Sequence, residues 1–346
     1  MSALPPPLPR RSLGTTRAWV SELGFGAASL GNLYRETSDE EARGAVDTAW
    51  QRGIRSFDTA PHYGLGLSER RLGAALAGRP REEFSLSTKV GRLLVPNPAP
   101  TGRDESFAVP DDLMRQWDFS RDGVLRSLDS SLDRLGVDRV DVVFAHDPDA
   151  YRDDAARQAL ETLVELREQG VVAAVGVGTN SSEGLAELIA DGLIDVVMLA
   201  GRYTLLEQGG LDAVLEPARE AGASVIAVGV YNSGLLSAAR PPADASYDYL
   251  PAPPELLARA NRLADVCESF GVSLPEAALA FPLRHPAVAG VALGMRTAAQ
   301  VDGNVERLAA GIPDELWGAL ADAGLVDPRS IARPGEPAVP LERTHP

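Results

Sequence analysis

The chain has 346 residues, 45% hydrophobic and 24% charged, the mix of an ordinary globular protein rather than a disordered, collagen-like or coiled-coil one. Lys and Arg total 33 against 49 Asp and Glu, for a net charge of −16. Such an acidic chain is repelled by phosphate backbones and anionic lipid, so no nucleic-acid partner and no membrane partner is expected.

The first residues are rich in proline (Pro5, Pro6, Pro7, Pro9) and read as a flexible arm over residues 1–12. Neither a signal-peptide pattern nor an apolar run near the roughly 20 residues that span a bilayer is present, so a cytoplasmic home is expected. Candidate strands then alternate with helical patterns. The strands are Glu22–Ala27, Ile54–Asp58, Phe84–Lys89, Val140–His146, Val172–Gly178, Asp195–Ala200, Ser224–Val230 and Val288–Gly294. The helical patterns are Asp39–Gln51, Leu67–Ala77, Arg121–Leu135, Asp154–Glu168, Ser182–Ala190, Leu211–Ala221 and several after Pro253. Ser38 before Asp39-Glu40-Glu41 is a capping-box start, and Gly53 a stop. Runs that are apolar throughout, such as Val171-Val172-Ala173-Ala174-Val175, suit a parallel sheet buried on both faces. Eight such strands predict a single-domain (β/α)8 TIM barrel over residues 13–326, with a doubly wound open sheet as the alternative. Two excursions interrupt the alternation, around residues 94–120 and from Ala238 to Pro254, and long loops of this kind belong at the functional rim. A proline-rich tail is expected over 327–346. No pattern in the chain speaks to oligomeric state.

Cys267 is the single cysteine and lies in a helical pattern, so disulfides and multi-cysteine metal sites are excluded and packing is its expected role. The four histidines (62, 146, 285, 345) include no spaced pair, and no metal site is expected. Gly24-Phe25-Gly26-Ala27-Ala28-Ser29 lacks the third glycine of a dinucleotide fingerprint, and no P-loop, H-E-x-x-H or G-x-S-x-G elbow occurs.

What remains is a constellation at predicted strand ends. Asp58 closes one strand with Tyr63 just beyond it, Lys89 ends the next, and His146 ends the one after. In a parallel barrel these ends converge on one rim. Singly, each has a plain structural role open to it: a turn cap, a half-buried aromatic, a rim charge or a satisfied core histidine. Together they can move a proton. A free tyrosine titrates near 10, and a neighbouring Lys⁺ held by Asp58 is expected to lower that value. His146 can orient a substrate oxygen. No side chain carries hydride, so a nicotinamide cofactor is implied.

The segments Phe57-Asp58-Thr59-Ala60-Pro61-His62-Tyr63-Gly64, Ser87-Thr88-Lys89-Val90-Gly91-Arg92 and His146-Asp147-Pro148-Asp149 resemble the aldo-keto reductases over about Leu23 to Asn304. That resemblance implies a (β/α)8 barrel binding NAD(P) in an extended pose. It makes Tyr63 the general acid/base, Lys89 and Asp58 its tuning pair, and His146 the group that orients substrate. It implies cofactor contacts from Ala28 after the first strand, from Asn180 to the carboxamide, from Tyr231 stacked on the nicotinamide, and from Ser233. At Gly201-Arg202-Tyr203 the family's usual glutamine is missing. At the adenosine end the matching residues are Gly294, Arg296, Gln300 and Asn304. Gly294 and Gln300 stand where NADP-dependent members carry a Lys and an Arg, so NAD is expected over NADP, with Arg296 the residue still able to reach a phosphate. Within the family the chain resembles the branch of sugar 1-dehydrogenases, with pyridoxal 4-dehydrogenases near it. The expected substrate is a small aldose oxidised to a lactone; pyridoxal or another carbonyl compound, and a non-enzymatic cofactor-sensing role, are the alternatives. Trp19, Tyr34, Trp117 and Tyr247–Tyr249 are aromatic candidates for the substrate side, or else surface or core.

Overall fold

A computed structural model describes residues 6–151, 154–248 and 250–331. In chain order it contains β1 (Arg10–Ser12), β2 (Trp19–Ser21), β3 (Leu23–Gly26), α1 (Asp39–Gln51), β4 (Ser56–Asp58), α2 (Leu67–Leu76), β5 (Ser85–Val90), β6 (Arg92–Pro96), β7 (Leu113–Trp117), α3 (Arg121–Leu135) and β8 (Val142–His146). There follow α4 (Ala155–Glu168), β9 (Ala174–Thr179), α5 (Leu185–Ala190), β10 (Val196–Ala200), α6 (Glu216–Ala221), β11 (Ser224–Val228), β12 (Ser246–Tyr247) and β13 (Leu250–Pro251). The last elements are α7 (Pro254–Ser269), α8 (Leu274–Ala280), β14 (Val288–Gly294), α9 (Ala298–Leu308) and α10 (Asp314–Asp322).

Strands β3, β4, β5, β8, β9, β10, β11 and β14 pair in parallel and close into a barrel, which settles the choice against an open sheet. All eight expected strands are present. The helices start where local chemistry says they should. Ser38 accepts from the Glu41 backbone while Glu41 reaches back, completing the capping box of α1, and Gly136 ends α3 in the left-handed region. One expected helix is divided. Over 211–221 a wide turn at Leu211–Leu215 precedes α6, because Pro217 brings no N–H to the usual ladder.

Two layers of packing hold the barrel. Leu, Val and Ala from the outward strand faces meet the helices, and a separate lumen cluster includes Phe144, Met198 and Ile226. Leu13, Ala18 and Val20 belong to that lumen cluster, so the N-terminal hairpin β1–β2 plugs the base of the barrel. The expected flexible arm over 1–12 is therefore corrected in its last residues. Arg10–Ser12 is free of proline, supplies the N–H groups that a strand needs, and pairs with Trp19–Ser21, while the Leu8 N–H donates to Gly53 at 2.9 Å. Residues 1–5 lie outside the described residues. At the other end Pro328–Ile331 forms a single tight turn, and the rest of the expected tail, 332–346, lies outside the described residues. Cys267 is buried in α7, where burial pushes its thiol up to about 12, so it packs rather than reacts. Among the described residues no helix is long and apolar enough to cross a membrane.

Candidate active site

The carboxyl ends of the barrel strands open into a cavity of about 680 Å³. Its polar floor comes from β4 and β5. The Lys89 ammonium, 2% exposed, donates to Asp58 Oδ2 at 2.6 Å and to the Thr59 carbonyl at 2.9 Å. Ser87 Oγ donates to the other Asp58 oxygen at 2.7 Å. A lysine so enclosed is tolerable only because it is paired and hydrogen-bonded. Burial alone pushes the ammonium down, and Asp58 and Tyr63 more than reverse this, so Lys89 stays charged well past neutral pH.

Tyr63 sits in the turn after β4, its ring centroid 4.9 Å from the Lys89 ammonium. The turn is held against the loop after β3 by two glycines in contact. A Cβ on Gly64, at φ +62°, would stand 2.2 Å from the Gly31 oxygen, and one on Gly31 would stand 2.6 Å from the Tyr63 carbonyl carbon. The phenol differs from expectation in one respect. Burial, the largest influence, pushes it up, Lys89 opposes this, and the net direction is above the ordinary value rather than below it. His146 ends β8 with its ring 5.8 Å from Tyr63 at near right angles. Burial and the neighbouring cations hold it well below its ordinary value, so it is a neutral imidazole, and among the described residues its buried Nδ1 has no partner. All four residues of the expected tetrad thus meet at one place.

A second polar layer, to which the sequence assigned no role, stands above them. Arg92, just past β5, pairs with Asp147 and donates to His62 Nδ1 at 3.2 Å. Arg115 on β7 pairs with Asp104 at 2.5 Å and donates to the His62 carbonyl at 2.9 Å. Burial and Arg92 hold His62 down to about 2, so it too is neutral. Of these, Arg92 and Asp147 carry the signal that found the tetrad, being charged groups just beyond barrel-strand ends, whereas Arg115 and Asp104 come from the β6–β7 hairpin and its loop. The hairpin β6–β7 and its connecting loop bring Phe107 over His62 at 5.3 Å, roofing the cavity. Asp111 orders that loop by accepting from the Thr101 and Gly102 backbone, both at 2.7 Å.

The expected cofactor residues divide into two groups. Ala28 and Asn180 line the cavity, and among the described residues the Asn180 side-chain amide has no protein partner. Farther along the rim, Tyr231 donates to Asn304 Oδ1 at 3.0 Å, Ser233 Oγ accepts from the Asp248 backbone at 3.2 Å, and Gly294 is the exposed end of β14. Arg296 turns inward instead of reaching for a phosphate. It is 8% exposed and donates to Thr37 Oγ1 and to the Leu33 and Arg35 carbonyls, at 2.5 and 3.0 Å for the carbonyls. Gln300 Oε1 accepts from the Arg296 backbone at 2.7 Å. Where the expected glutamine is missing, Arg202 donates to the Asn180 carbonyl at 2.7 Å and reaches Asp248 at 3.0 Å, tying β9 to the loop that carries β12 and β13. Of the aromatic candidates Tyr34 lines the cavity. Trp19 lies at the opposite end of the barrel under Arg10, Trp117 stacks on Phe119 and Tyr151, Tyr247 donates to Glu207, and Tyr249 lies outside the described residues.

A barrel with this rim has a family, and the model of the Aldo/keto reductase family matches residues 22–324. The chain belongs to the aldo-keto reductases. It is accordingly an NAD(P)-dependent oxidoreductase. It is 46% identical to a D-threo-aldose 1-dehydrogenase of Pseudomonas, over 89% of this chain and 95% of that one. It is 37% identical to a pyridoxal 4-dehydrogenase of Microbacterium luteolum, over 92% and 98%. Among solved structures, an aldo-keto reductase of Bacillus halodurans in its holo form superposes with a TM-score of 0.72 at 27% identity, covering 95% of this chain and 99% of that one.

The residues present fit a nicotinamide cofactor. Gly178, Met198 and Val228 give the cavity an inner wall of small and apolar groups against which a flat ring can lie, and the unspent Asn180 amide stands beside it.

Proposed function

We propose that this enzyme oxidises the anomeric carbon of a small aldose, of the kind of L-fucose or D-arabinose, to the lactone, with NAD as the preferred cofactor. The observation that carries the reading is the meeting of Tyr63, Lys89, Asp58 and His146 at one cavity beside an unspent Asn180, in a chain most of whose length matches an aldose 1-dehydrogenase. Bound NAD supplies the hydride acceptor. Tyr63 takes the proton of the anomeric hydroxyl as that carbon gives up its hydride and the C=O bond forms. Lys89, anchored by Asp58 and Thr59, stabilises the phenolate character that Tyr63 needs in order to accept. The neutral His146 has one N–H to hold the same oxygen in line.

Asn180 would hold the carboxamide and Tyr231 the face of the ring, with Ala28 and Ser233 along the cofactor's path and Gly294, Gln300 and Asn304 at its adenosine end. The preference for NAD is supported by the inward turn of Arg296, which leaves its guanidinium committed to Leu33, Arg35 and Thr37. A lone, buried cysteine suits a reducing compartment, and cytoplasmic residence is part of this reading. So is the organisation of the chain as one catalytic domain between two proline-rich ends.

Initial rates followed by nicotinamide absorbance test the reading, using L-fucose, D-arabinose, L-galactose and pyridoxal, each with NAD and with NADP. Sugar oxidation with NAD is the expected result. Turnover of pyridoxal alone would keep the chemistry and replace the substrate, and equal rates with NADP would remove the cofactor preference.

A further inference from the structure

Resting on the aldose reading, we propose that Asp147, set in place by Arg92, accepts a hydrogen bond from the hydroxyl on the carbon next to the reacting one. This contact makes the enzyme selective for α-hydroxylated substrates over simple carbonyl compounds and alcohols.

Asp147 directly follows His146, and its backbone adopts φ +43°, a left-handed conformation that, glycine apart, Asp and Asn adopt most readily and that is found at functional sites when the surroundings enforce it. Enforcement comes from its own N–H, which donates to the Gly178 carbonyl at 2.8 Å. The result is a carboxylate that lines the cavity, with its Oδ2 only 3.6 Å from His146 Nε2. It therefore stands one short step from the place where His146 meets the reacting oxygen.

The two carboxylate oxygens have different fates. Oδ2 takes the Arg92 guanidinium. That guanidinium is itself fixed, lying over the Trp117 ring at 4.3 Å and donating to His62. Among the described residues Oδ1 has no donor, although an ionised carboxylate offers about four lone-pair positions. Other carboxylates around the cavity are spent or exposed. Asp104 is taken by Arg115 and the Ser106 and Phe107 backbone, Asp149 by Thr179, and Glu105 is exposed to solvent. A neutral donor faces the same space. With His62 Nδ1 accepting from Arg92 in the shorter of its two contacts, the proton of that ring sits on Nε2.

A substrate that carries only the reacting oxygen satisfies Tyr63 and His146 and gives Asp147 Oδ1 no donor. A substrate with a neighbouring hydroxyl satisfies all three. Sites built to bond a hydroxyl discriminate against the analogue that lacks it for this reason.

The test is a substrate-by-residue cycle on the full-length enzyme, measuring kcat and KM for L-fucose and 2-deoxy-L-fucose in the wild type and in Asp147→Asn. Asparagine keeps the shape and tolerates positive φ well, so the backbone has no new reason to move. The wild type is expected to favour L-fucose in kcat/KM by roughly 10- to 100-fold, the effect of one hydrogen bond to a charged group. In the variant that ratio should collapse towards one, chiefly through the KM for L-fucose. A variant that slows both sugars equally and keeps the ratio would show Asp147 acting only as scaffold for His146, and would overturn the inference. Arg92→Lys is the second variant, expected to narrow the ratio as the carboxylate loses the guanidinium that holds its Oδ2, and an unchanged ratio there together with an unfolded Asp147→Asn also counts against it. A wild type that turns over neither sugar while reducing a simple aldehyde with NADH would remove the aldose reading itself, and this inference with it.

Discussion

At the inner end of the cleft, Lys89 and Asp58 lie on neighbouring barrel strands, 2.6 Å apart and almost out of reach of solvent. At its outer end, Gly294 is the exposed last residue of β14, and beyond it Arg296 has turned into the protein while Gln300 accepts from its backbone. The same rim thus aims Lys89 at the site at one end and turns Arg296 away from it at the other. Strand geometry accounts for the first. β4 and β5 are in register with Asp58 opposite Ser87, so Lys89, two residues farther along the same face of β5, extends its long side chain to the carboxylate. Side-chain choice accounts for the second. A long guanidinium beyond a strand end goes wherever carbonyls offer themselves, and Leu33 and Arg35 do so from inside.

Removing chemistry at the inner end should have the largest effect. Tyr63→Phe is expected to lower kcat by roughly 10²- to 10⁴-fold, the range of a lost general acid/base, with cofactor affinity unchanged in a fluorescence titration. Retained turnover would mean that another group moves the proton. Asp58→Asn tests the pair beneath it. Breaking a buried ion pair strands the surviving charge, so urea unfolding should show a loss of about 3–5 kcal/mol together with lost activity.

The barrel and its tetrad were legible because both follow from period and position. Eight strand patterns alternating with helices leave few architectures, and Asp58, Lys89 and His146 fall at or next to the ends of those strands. Arg92, the first residue of β6, and Asp147, one step beyond β8, lie just past the barrel-strand ends, and nothing in the local sequence announces the left-handed turn at Asp147. The direction of the Tyr63 shift was missed for a related reason. Its burial depends on Phe107, brought down by a loop whose path Asp111 sets through backbone contacts. Nor does the sequence say which way Arg296 turns.

The neutral histidines of the inner end give a pH signature. His62 is held to about 2 in the folded protein, against about 6.5 in an unfolded chain. Below 6.5 the unfolded state binds the extra proton, so this contribution to stability is complete above that pH and is lost as the pH falls towards 2. The loss is about 1.4 kcal/mol per pH unit. His62→Gln should flatten the fall in stability between pH 6 and 4 by about that slope, and an unaltered slope would show that the imidazole is protonated in the fold. At the outer end, Arg296→Ala should cost about 1–3 kcal/mol of stability by orphaning carbonyls, and leave the KM for NAD alone. A large rise in that KM would mean that Arg296 swings out to the cofactor.

The mildest change gives the sharpest reading of the outer end. A Cβ added at Gly294 meets only Ser29 Oγ, at the ordinary contact distance of 3.8 Å, and the residue does not need positive φ, so Gly294→Lys introduces a cation without disturbing the strand. If the missing charge is what disfavours a 2′-phosphate, the variant should lower the KM for NADP by roughly tenfold, the worth of one charge-assisted hydrogen bond, with little change for NAD. A matching gain for both cofactors would show a general attraction to the pyrophosphate, and no gain for either would place the adenosine away from β14. Because Arg296 is fixed behind the rim by three bonds, a tenfold gain would be assignable to the new lysine alone.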